Sequence, residues 1–548
     1  MRTSVIILIS LTLLSKYVSS IDLVVEIESG KVQGSEFVSS GGAVYYSWRG
    51  IPYAKPPLGD LRFDPPQKPD PWSGILNATE SGPACIYAST YPTDPLPSAG
   101  NDEDCLTISV YSPGNSGTND TLPVLVWIYG GGFVSGNSDF NFYDPSPFLD
   151  DNVIVVSFNY RLGVFGFLST GDEVISGNSG LKDQLLALNW TKNNIINFGG
   201  DPDRITIFGQ SAGSRSVSYH IISPKSSGLF NAAIMESGCA LSYIEVDNPR
   251  DVAYILAEKF SSNITNASDT SEVKNVLQSA PTEELLAYSK SYNFGPILEK
   301  DSDEAFLDKP LYELIASGNI SQLPVIIGYT AEETLDYFSD LESLQELASY
   351  YDENLNLLVP SMLLNADTNT TKLGEEIRTV YAGEDINFGN ELGSFIKWYS
   401  DQKFVRSIYK FVALYSQYVP LYMYRFNFYG TTSLTHLSIP GAGNVSHADE
   451  VPYLFNVSTH PLQTDADYLT RRRLVKLWTN FAKTHDPTPD NSSELLQNVK
   501  WELAQSDNIQ FLNIDNNLEM TVNTTQLELA AFWNNFWETY SYHPYNTF

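Results

Sequence analysis

The chain has 548 residues, with 65 acidic against 32 basic side chains and a formal net charge of −33. A surface that acidic repels phosphate, which excludes nucleic acid as a partner and disfavours anionic lipid. Hydrophobic residues make up 42%, including 33 Tyr and 28 Phe, enough to fill a large core. No linker-like stretch or repeat divides the sequence, so residues 21–548 read as one large domain with long insertions.

In chain order, the first element is MRTSVIILISLTLLSKYVSS. Arg2, the mostly apolar run Val5 to Leu14 and the small residues before Ile21 predict a secretory signal peptide over residues 1–20. No later run reaches the roughly 20 apolar residues of a membrane span, and the C-terminus lacks a lipid-anchor or retention signal. The expectation is a secreted, extracellular protein with no membrane anchor. Sequons at Asn77, Asn119, Asn189, Asn263, Asn266, Asn319, Asn369, Asn444, Asn456, Asn491 and Asn523 are then candidates for glycosylation.

LVVEIESGKVQGSEF and VYYSWRGIPYA predict N-terminal β hairpins. The pattern then changes. Apolar runs at 123–129, 153–160, 205–208, 231–237, 324–329 and 421–428 predict buried strands, and 180–199 has helical spacing. Strands alternating with helices define an α/β fold: a central, mostly parallel twisted sheet flanked by helices, with active residues at the strands' carboxyl ends. Residues 250–320 and 340–400 are polar and helix-like, and read as insertions. Near the end, Leu529, Phe532, Trp533, Phe536, Trp537 and Tyr540 share one helical face. That face suits either the core or a homodimer interface, so monomer and homodimer both stay open.

The chemistry concentrates in RITIFGQSAGSRSVSYH, residues 204–220. In a strand–turn–helix setting, Gly209 and Gly213 relieve crowding around Ser211 and leave its hydroxyl exposed above the sheet. A tight turn with no chemistry would read the same way locally, so the remaining parts of an acyl-transfer site decide the matter. Gly130, Gly131 and Gly132 follow a predicted strand and let main-chain N–H groups face a substrate carbonyl. In this arrangement a second donor comes from the residue after the serine, Ala212. A base must follow Ser211 at a distance; His220 lies too close, and His447 follows the last strong strand by a loop.

The combination of YGGGF, EDCL, NYRLGVFGFL, GLKDQ, NFGGDPDRITIFGQSAG and HADEVPYLF resembles the type-B carboxylesterase and cholinesterase family from about residue 28 to the C-terminal helix. The resemblance implies an α/β-hydrolase fold and a Ser–Glu–His triad with no cofactor and no metal. Carried onto this chain, it makes Ser211 the nucleophile and His447 the base, with Gly131, Gly132 and Ala212 as the oxyanion hole. It implies a Cys85–Cys105 disulfide, leaving Cys239 free, and a structural Arg161–Asp183 ion pair. The acid five residues after Gly328 is Glu333; since Thr334 stands where the family has Gly, Glu332 stays an alternative. Asn444 stands where the family commonly has Gly three residues before the histidine. Asp449 and Glu450 read as solvated or supporting residues.

The expected function is that of a serine carboxylic ester hydrolase acting through an acyl-enzyme on small-molecule esters, lipophilic or of broad range. Loop 85–105 has no Trp, and Gln210 stands where cholinesterases carry Glu, which argues against a choline ester. GQSAG also resembles juvenile hormone esterases, the alternative within the class. The alternative of another class is a catalytically silent adhesion or ligand-binding relative; the intact Ser211, Glu333 and His447 favour an enzyme.

Overall fold

The apolar runs lie side by side. Among the described residues they build an 11-stranded sheet, in the order Leu518–Thr521, Phe511–Ile514, Leu421–Phe426, Val325–Thr330, Ala232–Glu236, Gly200–Gln210, Leu122–Ile128, Ile154–Phe158, Thr107–Pro113, Val44–Pro52 and Ser35–Val38. The computed structural model describes residues 23–39, 42–87, 99–113, 121–242, 245–360, 369–435, 437–490, 493–506, 508–541 and 547–548. The leader at 1–20 and the sequons at Asn119 and Asn491 lie outside the described residues.

From Phe511–Ile514 across to Ile154–Phe158 every pairing is parallel. Strands in such a sheet are covered on both faces and read as continuous apolar runs. Accordingly Val124 to Ile128 and Ile205, Ile207 and Phe208 are fully buried. The outer pairings are antiparallel and include the hairpin of Ser35–Val38 with Val44–Pro52. Leaving Leu122–Ile128, the chain first adds Ile154–Phe158 on one side and then Gly200–Gln210 on the other. The carboxyl end of Leu122–Ile128 is therefore a point where strand order reverses, the place where open α/β sheets form a crevice. Gly130 to Gly132 follow that end directly, and Ser211 follows the neighbouring strand.

The helix expected over 180–199 is α-helical at Ser179–Asn194, with Leu181 and Leu188 buried. It tightens to a 3-10 turn at Ile195–Phe198 and stops at Gly199, whose φ of 85° is left-handed. The polar segments form helices as expected, among them Pro249–Phe260, Thr270–Gln278, Leu341–Glu353 and Thr370–Ala382. In the last helix, Thr524–Tyr540, the side chains of Leu529, Trp533, Phe536 and Trp537 are buried within the chain. There the buried Arg406 guanidinium lies 4.7 Å and 4.9 Å from the Trp533 and Trp537 rings, so the face serves the core.

Cys85 and Cys105 form a disulfide, and Cys239 is a buried free thiol. Glu103, beside Cys105, takes both arms of the buried Arg62 guanidinium at 2.8 and 2.6 Å, which ties the disulfide loop to the helical insertion through Arg62's contacts with Gln278 and Ala280. Arg161 meets Asp183 in the same forked geometry at 2.8 and 2.7 Å, fully enclosed. Among the described residues no helix is long and apolar enough to cross a membrane.

Candidate active site

Ser211 sits at the corner between Gly200–Gln210 and the helix Ala212–Ile222 with φ 58° and ψ −120°. An L-residue in that region costs about 1–3 kcal/mol, a strain that surrounding structure must hold. The hold is visible: Ser211 N–H donates to the Glu236 carbonyl at 2.8 Å. The flanking glycines are required by close approach. A Cβ on Gly213 would stand 1.9 Å from the Ile128 carbonyl oxygen, and one on Gly209 2.5 Å from the same atom. No other residue fits at either place without moving the neighbouring strand.

The glycine loop opposite has Gly131 at φ 105° and Gly132 at φ 63°. The Gly131 carbonyl turns away from the crevice and accepts from the N–H groups of Val134 and Ser135, each at 3.0 Å. Among the described residues, the N–H groups of Gly131, Gly132 and Ala212 have no protein acceptor. Three main-chain donors thus stand beside the serine.

His447 Nδ1 lies 2.5 Å from Glu333 Oε2, and the other carboxylate oxygen accepts from Thr330 N–H at 2.8 Å. Glu333 is fully buried and the imidazole nearly so, at 11% exposure. Glu332 points elsewhere: its Oε1 accepts from Gly443 N–H at 3.0 Å and its own N–H donates to the Val445 carbonyl. It fastens the loop that carries His447. Thr334, at the family's glycine position, fits by exchanging a buried hydrogen bond with Ser400.

His447 Nε2 is not hydrogen-bonded to Ser211. It faces the amide nitrogen of Gln210 at 3.1 Å. With Nδ1–H donated to Glu333, Nε2 is the acceptor in that contact, the tautomer a general base needs.

Asp449 and Glu450 are not solvated. Asp449 accepts from Leu434 N–H, Ser446 N–H and Ser433 Oγ at 2.7, 2.7 and 2.9 Å, and burial still pushes its carboxyl up to about 7. Glu450 is fully enclosed with neither oxygen bonded to protein, and burial, with the charges of Glu236 and Glu333, pushes its carboxyl well above the usual range. Glu236 takes the Trp478 indole N–H at 2.7 Å, yet burial raises it too. Around them Ser237 Oγ, Thr330 Oγ1 and Tyr424 OH are also buried without a protein partner.

Ser211, Gln210, His447 and the three glycines line one cavity of about 210 Å³. Its walls are apolar or aromatic at Phe142, Tyr143, Tyr337, Phe404, Leu434 and Val451, with polar groups at Arg215, Asp336 and His460. His460 in this wall and the Gln210 contact with His447 were not anticipated from the sequence. His220 behaves as expected of a structural residue: fully buried, bonded to Ser226 and Gln184, and pushed down to about 3 by burial.

This sheet, with its strained serine corner and neighbouring histidine–glutamate pair, defines an α/β-hydrolase. Its carboxylesterase identity rests on sequence: the family model described as the carboxylesterase family matches residues 21–533, and the chain belongs to that family. It is 35% identical over 503 residues to a juvenile hormone esterase of Tribolium castaneum, covering 86% of this chain and 84% of that protein. To a cocaine esterase of Homo sapiens it is 33% identical over 477 residues, covering 84% and 83%. The crystal structure of juvenile hormone esterase from Manduca sexta, with OTFP covalently attached, superposes with a TM-score of 0.83 at 28% identity, covering 94% of this chain and 99% of that one. The protein is a carboxylesterase whose substrate is a small-molecule ester.

Proposed function

We propose that this carboxylesterase works through a Ser211–His447–Glu333 triad and an acyl-enzyme, on lipophilic esters of broad range. His447 Nε2 takes the Ser211 proton as Oγ attacks the ester carbonyl, and the tetrahedral oxyanion is met by the N–H groups of Gly131, Gly132 and Ala212. The carbon–oxygen bond to the alcohol breaks and the alcohol leaves with the proton from His447. Water then repeats the sequence and releases the acid. Glu333 holds the ring's tautomer and balances the imidazolium charge. Gln210 must release Nε2 for the first step.

The observation that carries this reading is the 2.5 Å His447–Glu333 contact in the cavity that also exposes Ser211. Ser211→Ala is expected to abolish p-nitrophenyl butyrate turnover while leaving the thermal unfolding curve at the wild-type position; undiminished turnover would reject the assignment. The aromatic walls support a lipophilic substrate.

A juvenile hormone ester is the second reading, favoured by the GQSAG motif and the Tribolium castaneum relative. A chain-length series of p-nitrophenyl esters beside juvenile hormone decides between them by kcat/KM. The apolar leader supports a secreted protein of one domain, residues 21–548. Exposed Asn77, Asn263, Asn266, Asn319, Asn369 and Asn444 support glycosylation. Asn456 is the poorest acceptor, since its amide is engaged by Asp144 and Arg471.

A further inference from the structure

Hydrolysis as derived above makes no use of Arg215, which stands in the same cavity. Its N–H donates to the Ser211 carbonyl at 2.9 Å, one helical turn back, and its side chain leans toward that end of the helix. Gly238 makes room for it, since a Cβ there would stand 3.1 Å from Arg215 Cγ. The guanidinium lies 5.5 Å from the centre of the Phe404 ring, and Phe404 packs on the His447 imidazole with centroids 4.6 Å apart. A positive charge is thereby held beside the reacting groups.

That charge is poorly answered by the protein. Arg215 Nε is buried without a hydrogen-bond partner, and the terminal nitrogen reaches the Lys403 carbonyl at a long 3.4 Å. Among the described residues no carboxylate oxygen comes within 4.0 Å of it, whereas Arg62 and Arg161 each grip one at 2.6 and 2.7 Å. Lys403 is a second cation close by: its ammonium rests 5.6 Å from the Tyr399 ring and feels the charges of both Glu245 and Arg215. The cavity's own carboxylate, Asp336, is occupied by Ser446 Oγ at 2.8 Å. In a chain of net charge −33, a guanidinium left without a carboxylate partner in the wall of the nucleophile's cavity marks a place for an anion.

We propose that Arg215, backed by Lys403, forms a subsite for a negatively charged group on the ester, so that within its broad range the enzyme favours an ester bearing a carboxylate a few atoms from the scissile carbonyl over its neutral counterpart. A half-desolvated guanidinium without a carboxylate partner bonds a carboxylate more strongly than any neutral group of the same size. The proposal rests on Ser211 being the nucleophile of this cavity.

The test compares monomethyl glutarate with dimethyl glutarate, the same acyl chain with and without a charge, by acid release at constant pH. Wild type is expected to favour the monomethyl ester in kcat/KM, chiefly through KM, and the preference to shrink in high salt. Arg215→Gln should lower the monomethyl-to-dimethyl ratio about tenfold, the size of one charge-assisted hydrogen bond, and Arg215→Lys should restore part of it. A ratio unchanged by Arg215→Gln, in a variant that unfolds at the wild-type temperature, overturns the proposal; so does an equal loss on both esters. Calorimetric binding of glutarate to Ser211→Ala protein separates this from the triad reading. Saturable binding that Arg215→Gln abolishes supports the subsite even if Ser211 proves dispensable, and absence of binding counts against the subsite alone.

Discussion

On the serine side of the cavity, two glycines and the Ile128 carbonyl leave the main chain no other path. On the histidine side, the loop from Ile439 to Glu450 hangs on carboxylates supplied by other segments: Glu332 at Gly443, Asp336 at Ser446, Glu333 at His447. The first wall is set by excluded volume, indifferent to charge and intolerant of a single added atom. The second is set by hydrogen bonds to buried acids, tolerant of shape but sensitive to charge and to pH. The comparison teaches that one active site can fail in two separable ways.

The sharpest way to break it is Gly213→Ala. A methyl group 1.9 Å from a carbonyl oxygen cannot be absorbed by a side-chain rotation, and a loss of about 4 kcal/mol or more is expected, read as loss of the cooperative unfolding transition. Next comes Glu333→Gln, which keeps the size of the group but misorients the imidazole. Turnover of p-nitrophenyl butyrate should fall by about 10⁴, the cost of the wrong tautomer in comparable triads, while the protein stays folded. Asp449→Asn is smaller: an amide NH₂ would face donors that now meet a carboxylate oxygen, at a cost of about 1–3 kcal/mol at pH 8 by chemical denaturation. If Gly213→Ala proved harmless and Asp449→Asn unfolded the protein, the assignment of the two walls would be reversed.

The mildest effect is on pH dependence. Asp449, Glu236 and Glu450 have carboxyls raised by burial. A raised acid contributes stability fully present below the unfolded value near 4 and lost as pH climbs through the folded one. Stability is therefore expected to decline from about pH 4 upward: the share of Asp449 is lost by about pH 7, that of Glu236 by about pH 8, and that of Glu450 follows. Glu450→Gln removes one of these charges without breaking a protein hydrogen bond, so its melting temperature should fall less between pH 6 and pH 9 than that of wild type.

The same division decides what the amino-acid order reveals. Ser211, the flanking glycines and the six apolar strands were legible because their causes are local: a turn with no room, or a run buried on both faces. The helix at 180–199 was legible in kind but ends at Asn194, where the chain tightens toward Gly199. Glu333 was preferred over Glu332 only through the family's spacing from Gly328, because which of two consecutive acids turns inward depends on Thr330 and Gly443 being where they are. Asp449 and Glu450 were misread in part, since acids beside a loop are ordinarily solvated. Gln210 at the imidazole, and Arg215 and His460 in the wall, arise from convergence of distant segments, which leaves no periodic trace.

The 3.1 Å approach of the Gln210 amide to His447 carries one more consequence. While the crevice is idle, the ring nitrogen that would sharpen the hydroxyl already has a companion, and the alcohol beside it is left chemically blunt. On the proposed mechanism, a substrate that draws the Gln210 amide away would in the same motion hand the ring nitrogen to the hydroxyl.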